Sequence, residues 1–228
     1  LEMALAAKAC GGVVIVQADR LVPADTIPAK EILLHNSLVD YIVVDAQQAC
    51  PPGYDCPSFR PELCGYMRAP LSALKPMSLN QRKLCGRRAA LELKPGNVIN
   101  LGIGMPDSVA AVAAEEGLSS QLLLSVESGP LGGVPVGGVG FGAAVNPEVI
   151  YTLGDTFDFY DGGGLDIAFL GAGEIDEAGN VNVSKFGPQT TGPGGFINIT
   201  QNTPFVCFMC TFTAAGLKTA VENGKLAI

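Results

Sequence analysis

The stretch NVINLGIGMPDSVAAVAAEEGLSSQLLLSVE, residues 97–127, reads strand, helix, strand. NVINLG is a short apolar run that ends in glycine. Pro106 suits the first turn of a helix, where its missing N–H costs nothing, and Asp107 suits the positive end of the helix dipole. The small apolar run VAAVAAEE then closes on Gly117, in the place where a left-handed residue ends a helix. QLLLSVE, 121–127, is the second strand. Two strands joined through one helix are expected to lie parallel with a right-handed crossover. Upstream, Ser78 can cap a helix to about Leu93, stopped by Lys94-Pro95-Gly96. Downstream, LDIAFLGAGEID (165–176) reads as a strand, and EAGN (177–180) as a turn into NVNVS. GGFINIT and FVCFMCTF read as two further strands, and ENGK, 222–225, as a turn between strands. The expected fold is α/β: an open, mostly parallel sheet with flanking helices and a strand-rich second half. Ligands of such sheets gather at the carboxyl ends of the strands. Gly102-Ile103-Gly104-Met105-Pro106 and Glu127 both stand at such ends, so they are expected to face one crevice.

The first part of the chain is organised separately. GGVVIVQADRLV and VDYIVVD (39–45) read as strands of the buried, parallel kind. Residues 46–77 are rich in proline and lack periodicity, which is the character of an inter-domain linker. The expected layout is therefore residues 1–45 as the C-terminal part of a first α/β domain, 46–77 as linker, and 78–228 as the main domain. Both chain ends look cut, the second one within that domain.

Composition bounds the function. Apolar residues make up 48% and charged ones 16%, which favours a core-rich globular protein over a disordered one. Net charge is −8, and Lys and Arg cluster only in KLCGRR at 83–88, so no nucleic-acid footprint is expected. No apolar run approaches the ~20 residues of a membrane helix. The seven cysteines lack framework spacing and point to reduced thiols in a cytoplasmic protein. Cys207 and Cys210 form a C-x-x-C inside a strand-like run, where side chains three apart face opposite ways. Cys50, Cys56 and Cys64 are loosely spaced, and His35 is the only histidine, so no metal site is expected.

Glu127 begins the segment ESGPLGGVPVGGVGFG, in which seven glycines fall within residues 129–142. P-loop and dinucleotide fingerprints are absent: there is no G-K-[ST], GIGMPD lacks its third glycine, and GGVGFG does not follow a strand. Glu127 either ends a strand and pairs with a base, or it meets a ligand that the bare glycine backbone lets close in. In the second case an ionised glutamate can be a nucleophile, and attack on a carbonyl needs fixed donors for the oxyanion. The loop TTGPGG, 190–195, ahead of Phe196, is a second candidate source of such donors.

The segment VESGPLGGVPVGGVGFGAAVNP resembles the active-site region of the family I CoA-transferases, whose E-x-G acid is the nucleophile. NLGIGMP (100–106), GGGLDIAFLGAGEIDEAGNVNVSKFG (162–187), GPGGFINIT (192–200) and CTFTAAGLK (210–218) resemble that family in the same order. The likeness covers 78–228 well, and 1–45 resembles the tail of the family's first domain. It is nearest the acetate, propionate and acetoacetate type, whose single-chain members are longer at both ends. The resemblance implies that Glu127 is the nucleophile and that backbone amides near Gly194, Gly195 and Phe196 form an oxyanion hole. It places Gly102 and Gly104 in a loop bordering the site, and Gly132 and Gly133 in the loop after the nucleophile. It implies ping-pong transfer through a glutamyl-CoA thioester, with acyl-CoA and short-chain carboxylic acids as partners. Coenzyme A is then a substrate, no cofactor or metal is required, and a homo-oligomer is expected. The likeness also implies a place in short-chain fatty acid or ketone body metabolism. Acyl-CoA hydrolysis on the same chemistry and non-catalytic ligand binding are the alternative readings.

Overall fold

The computed structural model describes residues 1–45, 60–71, 76–137, 140–211 and 220–227. Cys50 and Cys56 lie outside the described residues, as does most of CTFTAAGLK. The chain divides into two compact units, Leu1–Pro57 and Ser58–Ile228.

In the first unit, helix α1 (Glu2–Ala9) precedes strands β1 (Ile15–Ala18) and β2 (Tyr41–Val44), which pair in parallel. Asp40 sits just ahead of β2. Its carboxylate accepts from Lys8 and, at 2.8 Å, from the Val14 N–H, which ties helix to sheet. His35 is exposed and caps a short 3₁₀ turn through Nδ1.

The second unit opens with α2 (Gln81–Ala90), β3 (Val98–Leu101), α3 (Ser108–Glu115) and β4 (Leu123–Ser125). Short strands follow: β5 (Pro130–Leu131), β6 (Val134–Pro135), β7 (Ala144–Val145) and β8 (Val149–Ile150). Helix α4 (Leu153–Asp161) and strand β9 (Ile167–Leu170) come next. Two small hairpins are formed by β10 (Glu174–Ile175) with β11 (Val181–Asn182) and by β12 (Lys185–Phe186) with β13 (Gln189–Thr190). Helix α5 (Phe196–Gln201), β14 (Phe205–Phe208), β15 (Ala220–Glu222) and β16 (Lys225–Ala227) complete the described elements. The main sheet runs β14-β9-β3-β4-β5-β8, parallel from β14 to β4 and antiparallel beyond. This is the mostly parallel α/β architecture read from residues 97–127, with an antiparallel edge.

Strand alternation decides which face each helix covers. Ile99, Leu101, Leu124 and Phe169 pack on one face with Ala89 of α2 and Val109 and Ala110 of α3. Ala168 and Leu170 point to the other face and pack with Tyr160 of α4 and Ile199 of α5. Each face is sealed in turn by its own helix pair, so both faces of the central strands are dry.

Local signals behave largely as their chemistry demands. Gly117 is left-handed at φ 73°, and the Leu118 N–H reaches the Ala113 carbonyl at 2.8 Å, closing α3. Asn223 and Gly224 are both left-handed, which suits the tight β15–β16 turn. The helix expected from Ser78 begins instead at Gln81, because the Asn80 side chain takes the Lys83 N–H at 3.0 Å and so caps it. GGFINIT is not a strand. It forms α5, because Phe196 and Ile199, three apart, share one buried face, whereas Ile197 is 53% exposed. Helical spacing buries both residues against α4; a strand would split them between two faces.

Of the stretch read as a linker, residues 60–71 and 76–77 are described. Residues 60–71 belong to the second unit and are held there through Asn146, which is left-handed at φ 60°. Its amide accepts from the Ala69 N–H at 2.7 Å and donates to the Ala69 carbonyl at 2.8 Å. Arg68 donates to the Asn146 carbonyl, and the Asn146 N–H donates to that of Glu62.

Candidate active site

Glu127 sits on a tight turn between β4 and β5. The Gly129 N–H closes that turn on the Val126 carbonyl at 3.0 Å, and the Val126 N–H bonds the Pro130 carbonyl at 3.0 Å. Gly129 has φ 127°, and a Cβ there would run into the Tyr151 carbonyl, so only glycine fits. Ser125 is in register with Asn100 and Ala168 and so faces α4 and α5, and the Glu127 side chain turns to the same side.

On that face the carboxylate meets Gly195, the residue before α5. A Cβ at Gly195 would collide with Glu127 Oε2 and lie 3.0 Å from Phe157 Cζ. The bare Cα of Gly195 therefore forms one wall beside the carboxylate, and the tip of the Phe157 ring stands next to it. Glu127 is half-buried, and among the described residues no hydrogen bond or ion pair engages its carboxylate. Burial alone pushes its pKa above the ordinary glutamate value. A carboxylate partly shielded from water and left unpaired is a better nucleophile than a fully solvated or salt-bridged one. The N–H groups of Gly194 and Gly195 have no acceptor among the described residues and remain available as donors.

Beneath Glu127 lies a buried polar chain in an otherwise apolar layer. Tyr160, 1% exposed, places its hydroxyl 3.0 Å from Asn100 Nδ2 and 3.0 Å from Ser125 Oγ. The Ser125 hydroxyl donates to the Ile99 carbonyl at 3.0 Å. Asn100 Oδ1 is fully enclosed, with no hydrogen-bond partner among the described residues. Leaving a buried amide half-satisfied costs roughly 1–3 kcal/mol. Burial raises the Tyr160 pKa, opposed by its bonds to Ser125 and Asn100, with a last contribution from the Glu127 charge.

Known proteins align with the chain over nearly its whole length. A caffeate CoA-transferase of Acetobacterium woodii is 42% identical over 233 aligned residues, which take in 100% of this chain and 44% of that protein. An acetate CoA-transferase, YdiF, of Escherichia coli O157:H7 is 41% identical over 96% of this chain. The crystal structure of the YdiF apoenzyme superimposes on 99% of the chain with a TM-score of 0.77 at 38% identity. Over its whole length the chain is similar to CoA-transferases. It spans 41–44% of the length of these relatives. A second YdiF structure, a thioester complex with CoA, gives a TM-score of 0.75 at 37% identity. No protein-family profile matches the sequence.

The glycines of this chain do different work. Gly195 touches Glu127, whereas Gly194, left-handed at φ 56°, meets nothing within 4 Å. Phe196 opens α5 and stacks on Phe208, with centroids 5.9 Å apart. Gly102 spends its N–H on the Phe169 carbonyl at 2.8 Å, and a Cβ there would press on that carbonyl and on Leu170. Gly104, at φ 91°, holds the Arg82 guanidinium on its carbonyl, and Arg82 also pairs with buried Asp107. Gly132 and Gly133 let the β5–β6 turn close against Glu148 and against the Val145 and Asn146 backbone. No contact brings those two to Glu127.

Sequence reasoning missed Phe157, Tyr160, Asn100 and Ser125. Asn100 and Ser125 were nevertheless visible as polar residues interrupting apolar strands. They are register partners on β3 and β4. A cavity of about 650 Å³ lies elsewhere in the second unit, bordered by Arg82, Asp107, Ala111 and Val134, and Glu127 does not line it. Among the described residues, no cluster of His, Cys, Asp or Glu is arranged to hold a metal, and Cys64 and Cys210 are exposed free thiols. Cys207 lies in β14, half-buried, and Cys210 beyond it. No described helix is long and apolar enough to cross a membrane.

Proposed function

We propose that the protein carrying this chain transfers CoA between a short-chain acyl-CoA and a carboxylic acid, with Glu127 as the nucleophile. The observation that carries the reading is the bare Cα of Gly195 against Glu127 Oε2, on a carboxylate that is unpaired and half-buried. Glu127 attacks the thioester carbonyl, the C–S bond breaks, and an acyl-glutamyl anhydride and CoA thiolate result. The thiolate attacks the glutamyl carbonyl, releases the first acid as carboxylate and forms a glutamyl-CoA thioester. A second carboxylate then takes the CoA by the reverse steps. The N–H groups of Gly194 and Gly195 would receive the oxyanion of each tetrahedral intermediate; losing one such donor typically costs ~10²–10³ in rate.

No proton has to move in these steps, so neither a histidine nor a metal nor a redox cofactor is needed. The YdiF complex, a thioester with CoA, supports the same chemistry. The acyl chain and the acceptor acid are proposed only as short-chain, and the relatives' names, caffeate and acetate, span a wide range of acids.

The test is to incubate the intact protein with acetyl-CoA, reduce it with borohydride and map the modified peptide by mass spectrometry, with Glu127→Ala in parallel. A reduced adduct confined to Glu127 is expected. An adduct elsewhere, or none with substrate turning over, would refute the assignment. Turnover that needs only water, with no carboxylate acceptor, would make the protein a hydrolase.

A further inference from the structure

We propose that Tyr160 is a positioning residue for Glu127, acting through Ser125 on one side of the crevice and Phe157 on the other. The inference rests on the catalytic reading of Glu127 and adds a part to it.

Three observations converge. The hydroxyl of Tyr160 is 3.0 Å from Ser125 Oγ, on the strand that delivers Glu127 two residues later. The Tyr160 ring meets Phe157 edge-on, with centroids 6.0 Å apart and planes at 89°. Phe157 in turn reaches the wall formed by Gly195. Tyr160 thus couples the strand that carries the carboxylate to the wall the carboxylate faces.

The chain also has a direction. The Ser125 hydroxyl is committed to the Ile99 carbonyl, so Tyr160 donates to Ser125 Oγ and accepts from Asn100 Nδ2. That assignment explains a buried asparagine whose other amide atom is left without a partner among the described residues. An apolar residue at position 100 would pack without that penalty, but it would leave the Tyr160 hydroxyl one donor short. A buried network of this kind specifies one arrangement of its members.

The test uses Tyr160→Phe, Ser125→Ala and the double variant in the intact protein. Single-turnover acylation of Glu127 by acetyl-CoA is followed by quenching and borohydride reduction, and Tm is measured in parallel. If the network positions the carboxylate, each single variant lowers the saturating acylation rate about tenfold, a fraction of what a full 1 Å misplacement can cost. The acetyl-CoA concentration at half-saturation stays the same. The double variant is no slower than the slower single one, because both break the same link.

A merely structural network would lower Tm and leave the acylation rate of the folded protein within about twofold of the unmutated one. That result overturns the proposal, as do multiplicative effects in the double variant. If Tyr160→Phe fails to fold, Ser125→Ala reads the same link alone. Absence of any Glu127 adduct in the unmutated protein is a different failure: it removes the catalytic reading, and this inference with it.

Discussion

Gly195→Ala is the sharpest perturbation of this site. Gly195 has φ −74° and ψ −2°, a conformation any residue adopts, so the backbone does not resist alanine. Replacing glycine by alanine ahead of a helix costs at most ~1 kcal/mol of stability. The added methyl, however, falls on Glu127 Oε2 and 3.0 Å from Phe157 Cζ. The Phe157 ring leans on Tyr160, so the carboxylate is the group that must move, by roughly 1 Å. A displacement of that size costs ~10²-fold in a positioned reaction, equivalent to ~2.7 kcal/mol of barrier. The assay is single-turnover acylation by acetyl-CoA, read as reduced adduct on the Glu127 peptide, beside thermal unfolding.

Gly194→Ala is the control. Its methyl meets nothing within 4 Å, but its φ of 56° charges alanine ~1–2 kcal/mol. Stability should therefore fall more at 194 than at 195, and acylation more at 195 than at 194. Acylation by Gly195→Ala within about threefold of the unmutated rate, less than 1 kcal/mol of barrier, would refute the geometry on which the proposed function stands.

Other outcomes follow from single residues. Burial raises the folded-state pKa of Glu127, so the folded protein bears a desolvation penalty once the group ionises and none below its unfolded value of ~4.3. Glu127→Gln should therefore unfold at a higher temperature than the unmutated protein at pH 7, with the gap closing below pH ~4, as calorimetry would record. Gly133→Ala combines φ 72° with a methyl driven into the Val145 and Asn146 backbone. Because backbone cannot yield there, a loss of ~3 kcal/mol or more is expected in urea unfolding. Asn146→Ala removes both hydrogen bonds to Ala69 and leaves alanine at φ 60°, a loss of roughly 2–3 kcal/mol. Limited proteolysis within residues 60–71 should then quicken.

Much of the scaffold was legible because its signals are local. Residues 97–127 spell strand, helix and strand through a first-turn proline, a closing Gly117 and two apolar runs, and the strands pair in parallel as expected. The ENGK turn declares itself by the same short-range chemistry. Glu127 stood out as an acid at a strand's carboxyl end ahead of glycines. GGFINIT misled because apolar alternation over five residues is compatible with either period, and only the α4 surface selects the helical one.

What the linear order alone determined, then, is the α/β scaffold and the acid at the end of β4. Tertiary structure decided which glycine touches that acid and what lies under it. Gly195 is 68 residues beyond Glu127, and Tyr160 lies 60 residues from Asn100 and 35 from Ser125. Propensity and periodicity act over a few residues, whereas a buried hydroxyl finds its partners only when packing excludes water and leaves the nearest polar atom as the sole alternative.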